Sequence, residues 1–424
     1  MAKIKQIFAR EILDSRGNPT IETTVILNDN STGVASCPSG SSIGANEAVE
    51  LRDGDESRHH GMGVLKAIEN VNKVIAPQII NSEASQQHEV DRKMIELDGT
   101  QNKIRLGANA ILSVSMALAK ASAKSSVLPL FLYLRQFIKR DGHEVKIPTP
   151  IFNVINGGKH ASSGLDFQEF HIIPATSRTY SQALYIGVSV YHSLKEVLIN
   201  NNVSTLVGDE GGYGPNLAVN KDVFPLLKQA VENSNLRFGS DVFFGIDAAA
   251  NSFKREQEYF IKDHPSGLNA DGLIAYYQEI NKDYRLLYIE DPLAEDDWDS
   301  WQKLTSILSN ESLIVGDDLT VTNPYRLQMA LTKKAITGIV IKPNQIGTVI
   351  EALAVVEVAR EMGLKIIVSH RSGETNDDFI ADFAVAVSSD YVKFGAPARG
   401  ERVAKYNRLL HIETQLAGFN VKGI

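Results

Sequence analysis

Short runs of alternating apolar and polar side chains at residues 4–8, 20–27 and 34–36 predict three β-strands, with Asn28-Asp29-Asn30 turning the second into the third. The period then lengthens. Over 64–75, 84–97 and 108–125 apolar residues recur every three to four positions, the spacing that gives a helix one buried face. Pro129 and the charged stretch 139–146 break this pattern and mark a boundary. Past it, short apolar runs alternate with longer helical ones such as 298–308 and 348–362, the rhythm of repeated βα units.

Six of these short runs end in an ionisable side chain. Residues 242–246 lead to Asp247, 287–289 to Glu290, 313–315 through Gly316 to Asp317, 339–341 to Lys342, 366–368 through Ser369 to His370, and 391–392 to Lys393. The steps between them, roughly 43, 27, 25, 28 and 23 residues, are near the length of a βα unit in a barrel. The expected fold class is α/β, with a small α+β domain over residues 1–138 and a TIM-like (β/α)8 barrel over 139–424. In such a barrel the C-terminal ends of the strands converge on one face, so the six groups are expected to meet there.

Their chemistry is specific. Asp247, Glu290 and Asp317 would form an all-oxygen cluster, and three carboxylates aimed at one point repel each other until a divalent cation neutralises them. With no soft ligand among them, Mg2+ is the natural ion, with Mn2+ as the alternative. Lys342 and Lys393 flank the cluster, and cations nearby are expected to lower a lysine pKa into the range of a general base. His370, Arg371 and Ser372 offer a cation, a planar donor fork and a hydroxyl suited to gripping a phosphate or carboxylate.

Loops add to this set. The small residues of 38–44, Ser42 among them, suit a segment that closes over a ligand. His160 follows Gly157-Gly158, where the backbone can approach a substrate closely. Glu210 lies on the tight turn 208–213, and Gln168-Glu169 opens a further strand. Glu169 and Glu210, brought together, would have one pKa raised to make a general acid.

Composition narrows the setting. A net charge of −8 over 424 residues argues against a general nucleic-acid binder. The single cysteine, Cys37, excludes an internal disulfide and points to a reducing compartment. The most apolar helical stretch, 108–123, is interrupted by Asn109, Ser113, Ser115 and Lys120, so no membrane span is expected and the cytoplasm is the default location.

Read as blocks, the chain resembles the enolase family over essentially its whole length. The matching blocks include PSGSSIG at 38–44, NGGKH at 156–160, QEF at 168–170, VGDEGGY at 207–213 and IEDPLAEDDW at 289–298. GDDLTVTNP at 316–324, IKPNQIGT at 341–348, SHRSGET at 369–375 and ERVAKYN at 401–407 complete the series. The resemblance implies a lyase that converts 2-phospho-D-glycerate into phosphoenolpyruvate and water, with two Mg2+ ions per site. It assigns Asp247, Glu290 and Asp317 to the first ion and Ser42 to the second. It makes Lys342 the base that takes the C2 proton, and Glu210, paired with Glu169, the acid at the C3 hydroxyl. Arg371 and Ser372 take the phosphate, and Lys393, His160, Gln168 and His370 complete the substrate contacts. A Lys or His base working with Mg2+ is an established pattern of the enolase superfamily. The resemblance also implies an irregular first section of the barrel and a homodimer, or an octamer built from dimers.

Some positions depart from the family pattern: Ile43 where Thr is usual, Asn251-Ser252, Pro343, Phe394 in place of Thr, Gly400 in place of Ser, and His411 where an Arg pairs across the dimer with the acid matched by Glu22. They keep open an enolase-like enzyme of a side pathway acting on a phosphonate or related analogue, and, further off, a non-catalytic surface-binding role.

Overall fold

The structure, a computed structural model, describes residues 2–40, 46–139, 144–161 and 163–422. The N-terminal strands form an antiparallel meander of β1 (Ile4–Leu13), β2 (Pro19–Leu27) and β3 (Thr32–Ser36). β1 runs past its expected end at residue 8 because the register continues to Leu13 opposite Pro19. One face of the sheet lies on helix Ala108–Ser125, whose boundaries match the apolar periodicity. The approach is close enough that a Cβ on Gly33 would fall 2.0 Å from the carbonyl oxygen of Ala117, so no larger residue fits that position. The expected helix at 64–75 extends as one continuous run to Ile79 through a π-helical turn at Asn70–Ile75.

The second part is a closed eight-stranded barrel. Its strands in chain order are β4 (Thr149–Asn156), β5 (Glu169–Pro174) and β6 (Val242–Asp247), followed by β10 (Leu286–Glu290), β11 (Leu313–Gly316), β12 (Gly338–Ile341), β13 (Lys365–Ser369) and β14 (Tyr391–Lys393). Between β6 and β10 a small antiparallel sheet is inserted, made of β7 (Lys254–Arg255), β8 (Glu258–Ile261) and β9 (His264–Leu268). That insertion accounts for the long first step in the spacing of the ionisable groups. β5 pairs antiparallel with both β4 and β6, while every other barrel pairing is parallel.

Strand alternation sets the stage for the site. Ile151, Ile173, Tyr288, Val315, Val340, Ile367 and Tyr391 point inward and fill the barrel with a separate apolar cluster. Two residues further along, on the same inward face, stand Glu290, Asp317, Lys342, Ser369 and Lys393. The polar groups therefore rest on a packed floor. On β5 the direction is reversed, so its inward residues run Ile173, His171, Glu169, and the functional end is the N-terminal one. Glu169, expected to open a strand, thereby reaches the same end of the barrel as the groups at the C-terminal ends of the other strands. No helix among the described residues is long and apolar enough to cross a membrane.

Candidate active site

Ten of the expected site residues line one small cavity at the top of the barrel: His160, Gln168, Glu169, Glu210, Asp247, Lys342, His370, Arg371, Ser372 and Lys393. Glu290 and Asp317 form its floor through contacts to the two lysines. Ser42 and Ile43 lie outside the described residues.

The acidic floor is wholly buried, and ammonium groups balance its charge. Lys393 Nζ sits 2.8 Å from Glu290 Oε1, 3.2 Å from Glu169 Oε2 and 3.3 Å from Asp247 Oδ2. Lys342 Nζ contacts Asp317 Oδ2, whose other oxygen accepts from Gln345 Nε2 at 3.1 Å. Burial, together with the charge of Asp247, raises Glu290 to about 8 although Lys393 opposes it. Burial pulls Lys342 down, but the carboxylate of Asp317 outweighs it and holds the amine above its ordinary range. Lys393 is raised further, because the three carboxylates around it overcome its burial. Lowering either pKa requires those negative charges to be taken up by something other than the lysine.

Glu169 and Glu210 do come together. His160 Nδ1 lies 3.6 Å from an oxygen of each. Burial and the neighbouring charge of Glu210 push Glu169 well above the carboxylate range. Burial acts on Glu210 in the same sense, but His160, His370 and Arg402 face it and bring it well below that range. Asn153 Nδ2 also donates to Glu210 Oε2 at 3.0 Å. The two carboxyls of the pair are thus shifted in opposite directions, Glu169 up and Glu210 down.

Residues 370–372 are held from behind. Arg402, with no exposed surface, donates to the carbonyls of Arg371 and Ser372, both at 2.6 Å, and to His370 Nδ1 at 2.7 Å. That bond leaves the His370 hydrogen on Nε2, directed at Glu210 Oε2 3.4 Å away. Burial holds His370 neutral, its pKa near 3. The Arg371 guanidinium forks onto Glu47 at 2.8 and 3.2 Å and also reaches Asn344 Oδ1 at 3.2 Å. Gln168, expected at the substrate, places its amide on Asp247 Oδ2 at 3.2 Å.

Sequence reasoning missed several contributors. Asp291 accepts from the backbone N–H of Asp317 and Asp318 at 3.0 and 2.7 Å and so braces the turn that presents Asp317. Oxygens of Asp291, Asp317 and Asp318 lie within 4.8 Å of one another, the same closeness found for His160, Glu169 and Glu210. Asp291 and Asp318 are visible as sequence neighbours of Glu290 and Asp317, whereas nothing local marks Glu47, Arg402 or His171.

Of the departures from the family pattern, Phe394, Gly400 and His411 do not line the cavity. Phe394 alternates outward from Lys393 and packs on Tyr406, ring centroids 5.9 Å apart. Gly400 opens the last helix with open space beside it, and His411 is exposed on that helix.

Comparison with known proteins gives one consistent picture. Residues 4–134 match the family described as enolase, N-terminal domain, and residues 144–422 match enolase, C-terminal TIM barrel domain. An enolase of Acidothermus cellulolyticus is 50% identical over 416 residues, covering 98% of this chain and 95% of that protein.

Proposed function

Since the chain belongs to the enolase family, we propose that it is a phosphopyruvate hydratase that dehydrates 2-phospho-D-glycerate to phosphoenolpyruvate in glycolysis. One observation carries this reading. A base candidate seated on an acidic floor and a proton-sharing pair of glutamates face each other across one buried cavity, in a chain half identical to an enolase from end to end.

The donor set suits a hard divalent cation in its chemistry, while the oxygens that come within 4.8 Å of those of Asp317 are from Asp291 and Asp318. Asp247, Glu290 and Asp317 offer only oxygen, are buried, and already draw an ammonium between two of them. These three would hold one Mg2+, or Mn2+, and Ser42 would contribute to a second. When bound, the two ions stabilise the charge that develops on the substrate carboxylate as its α-proton leaves.

The chain's own residues do the rest. Arg371 and Ser372 hold the phosphate, with Arg402 fixing the backbone that presents them. Lys342, once relieved of Asp317, removes the C2 proton as a neutral amine. Glu169 and Glu210 supply the proton that lets the C3 hydroxyl leave as water. His160, Gln168, His370 and Lys393 orient the substrate and the pair. A domain boundary at 138/139, a cytoplasmic location and a homodimer, or an octamer of dimers, complete the reading.

Direct assay of 2-phosphoglycerate tests it. Turnover is expected with Mg2+, loss on chelation, and loss in Lys342→Ala. Trace turnover of 2-phosphoglycerate by the Mg2+-loaded wild type would overturn it.

A further inference from the structure

We propose that His171 is a positioning residue that fixes which oxygen of Glu169 carries the catalytic proton. This rests on the reading of Glu169 and Glu210 as the proton-donating pair. His171 stands two residues from Glu169 on β5, so both side chains enter the barrel, and it has no exposed surface. Its Nε2 is 2.8 Å from Glu169 Oε2, and its Nδ1 meets no hydrogen-bond partner among the described residues.

Burial, with Lys393 nearby, keeps the imidazole neutral, so it carries a single N–H. On Nδ1 that hydrogen would be a buried donor with no acceptor. On Nε2 it is donated to Glu169. The Lys393 ammonium lies 3.2 Å from the same Oε2. With a hydrogen-bond donor and an ammonium against it, Oε2 is the oxygen kept free of the proton. The proton is left to Oε1, the oxygen 3.6 Å from His160 Nδ1 on the side of Glu210.

Neighbouring strands make room for this arrangement. Gly245 is level with both His171 and Tyr288, and a Cβ there would lie 2.9 Å from that of Tyr288. Across it the two rings meet edge to face, centroids 5.5 Å apart. The charged and titratable groups around His171 are Glu169 on its own strand, Tyr288 from β10, Lys393 from β14, and Glu210 and His370 from the loops.

The test compares His171→Leu, which removes the donor, with His171→Gln, which restores an N–H at similar reach. Dehydration of 2-phosphoglycerate by the leucine variant is expected to fall roughly tenfold to a hundredfold in kcat. KM and the exchange of the C2 hydrogen with solvent deuterium are expected to stay near wild type, and the glutamine variant to recover most of the loss. His171→Met replaces the leucine variant should that one not fold. The proposal is overturned if the apolar variant keeps wild-type kcat, if glutamine is as slow as leucine, or if C2 exchange falls in step with kcat. Glu169→Gln separates the two levels: full turnover there overturns the role of the pair. A slow Glu169→Gln beside a fast His171→Leu overturns the positioning role alone.

Discussion

A carboxylate can ligate a cation only after giving up its proton, and Glu290 holds its proton unusually hard. Its pKa is raised to about 8 by burial and by Asp247, against the opposing pull of Lys393 and of the Tyr288 hydroxyl, which donates to it at 2.5 Å. A cation that takes Glu290 as a ligand must displace any proton it holds, so Mg2+ binding at pH 7 is expected to release protons. The sign follows: affinity rises with pH, about tenfold per unit below pH 8, and levels off above it. Calorimetric titrations with Mg2+ in two buffers of different ionisation enthalpy read the proton count directly. Zero release at pH 7 would mean that Lys393, not a proton, balances Glu290. Single residues such as this were legible in the sequence because an ionisable side chain directly ended an apolar run. Glu47 was not, since its partner Arg371 lies 324 positions away and only the fold joins them.

Elements were legible in proportion to how strongly one face is buried. Helices Ala108–Ser125 and Trp298–Leu308 kept their expected limits because an apolar stripe ends where each helix ends. The sheet β7–β9 was not read, as its short, largely exposed strands carry no consistent inward face, and only the long spacing before Glu290 hinted at it. Nor could pattern reveal that β5 runs backwards, since alternation reads the same in both directions. The join between elements of the two halves gives a further prediction. Asp91, on helix Gln87–Asp98, accepts from Ser115 Oγ at 2.8 Å and from the backbone of Ile350 at 3.2 Å, at the start of helix Val349–Glu361. Burial raises its pKa from 3.8 to about 7. Between those values the folded state keeps a proton that the unfolded chain has lost. Stability from this group is therefore complete below pH 4 and declines to its minimum above pH 7, by at most about 4 kcal/mol. In Asp91→Asn that decline is absent, so its urea stability relative to wild type is expected to improve steadily from pH 4 to pH 8. A difference that stays flat with pH would show that Asp91 does not titrate in this range.

At the scale of the molecule, the cavity is lined from the barrel but braced by the N-terminal half. Glu47 crosses from the N-terminal part to Arg371, and Ser39 pairs with Gly373 through two backbone bonds of 2.7 and 2.8 Å. The seam is tightest at Gly373, where a Cβ would lie 2.5 Å from Asp14 Oδ2, 2.7 Å from Arg16 Nη2 and 2.8 Å from the carbonyl of Ser39. The side chains could swing aside; the carbonyl could move only by giving up its bond to Gly373. Gly373→Ala is thus expected to part the two halves at that point and to cost about 1–3 kcal/mol in stability. The neighbouring residues are Arg371 and Ser372, whereas Glu169 and Glu210 are held from β5 and the 208–213 turn. The damage should fall on the phosphate grip, raising KM for 2-phosphoglycerate more than it lowers kcat. A variant whose kcat falls while KM stays constant would mean that the seam serves the proton-transfer groups, and that closure of the two halves governs chemistry rather than binding.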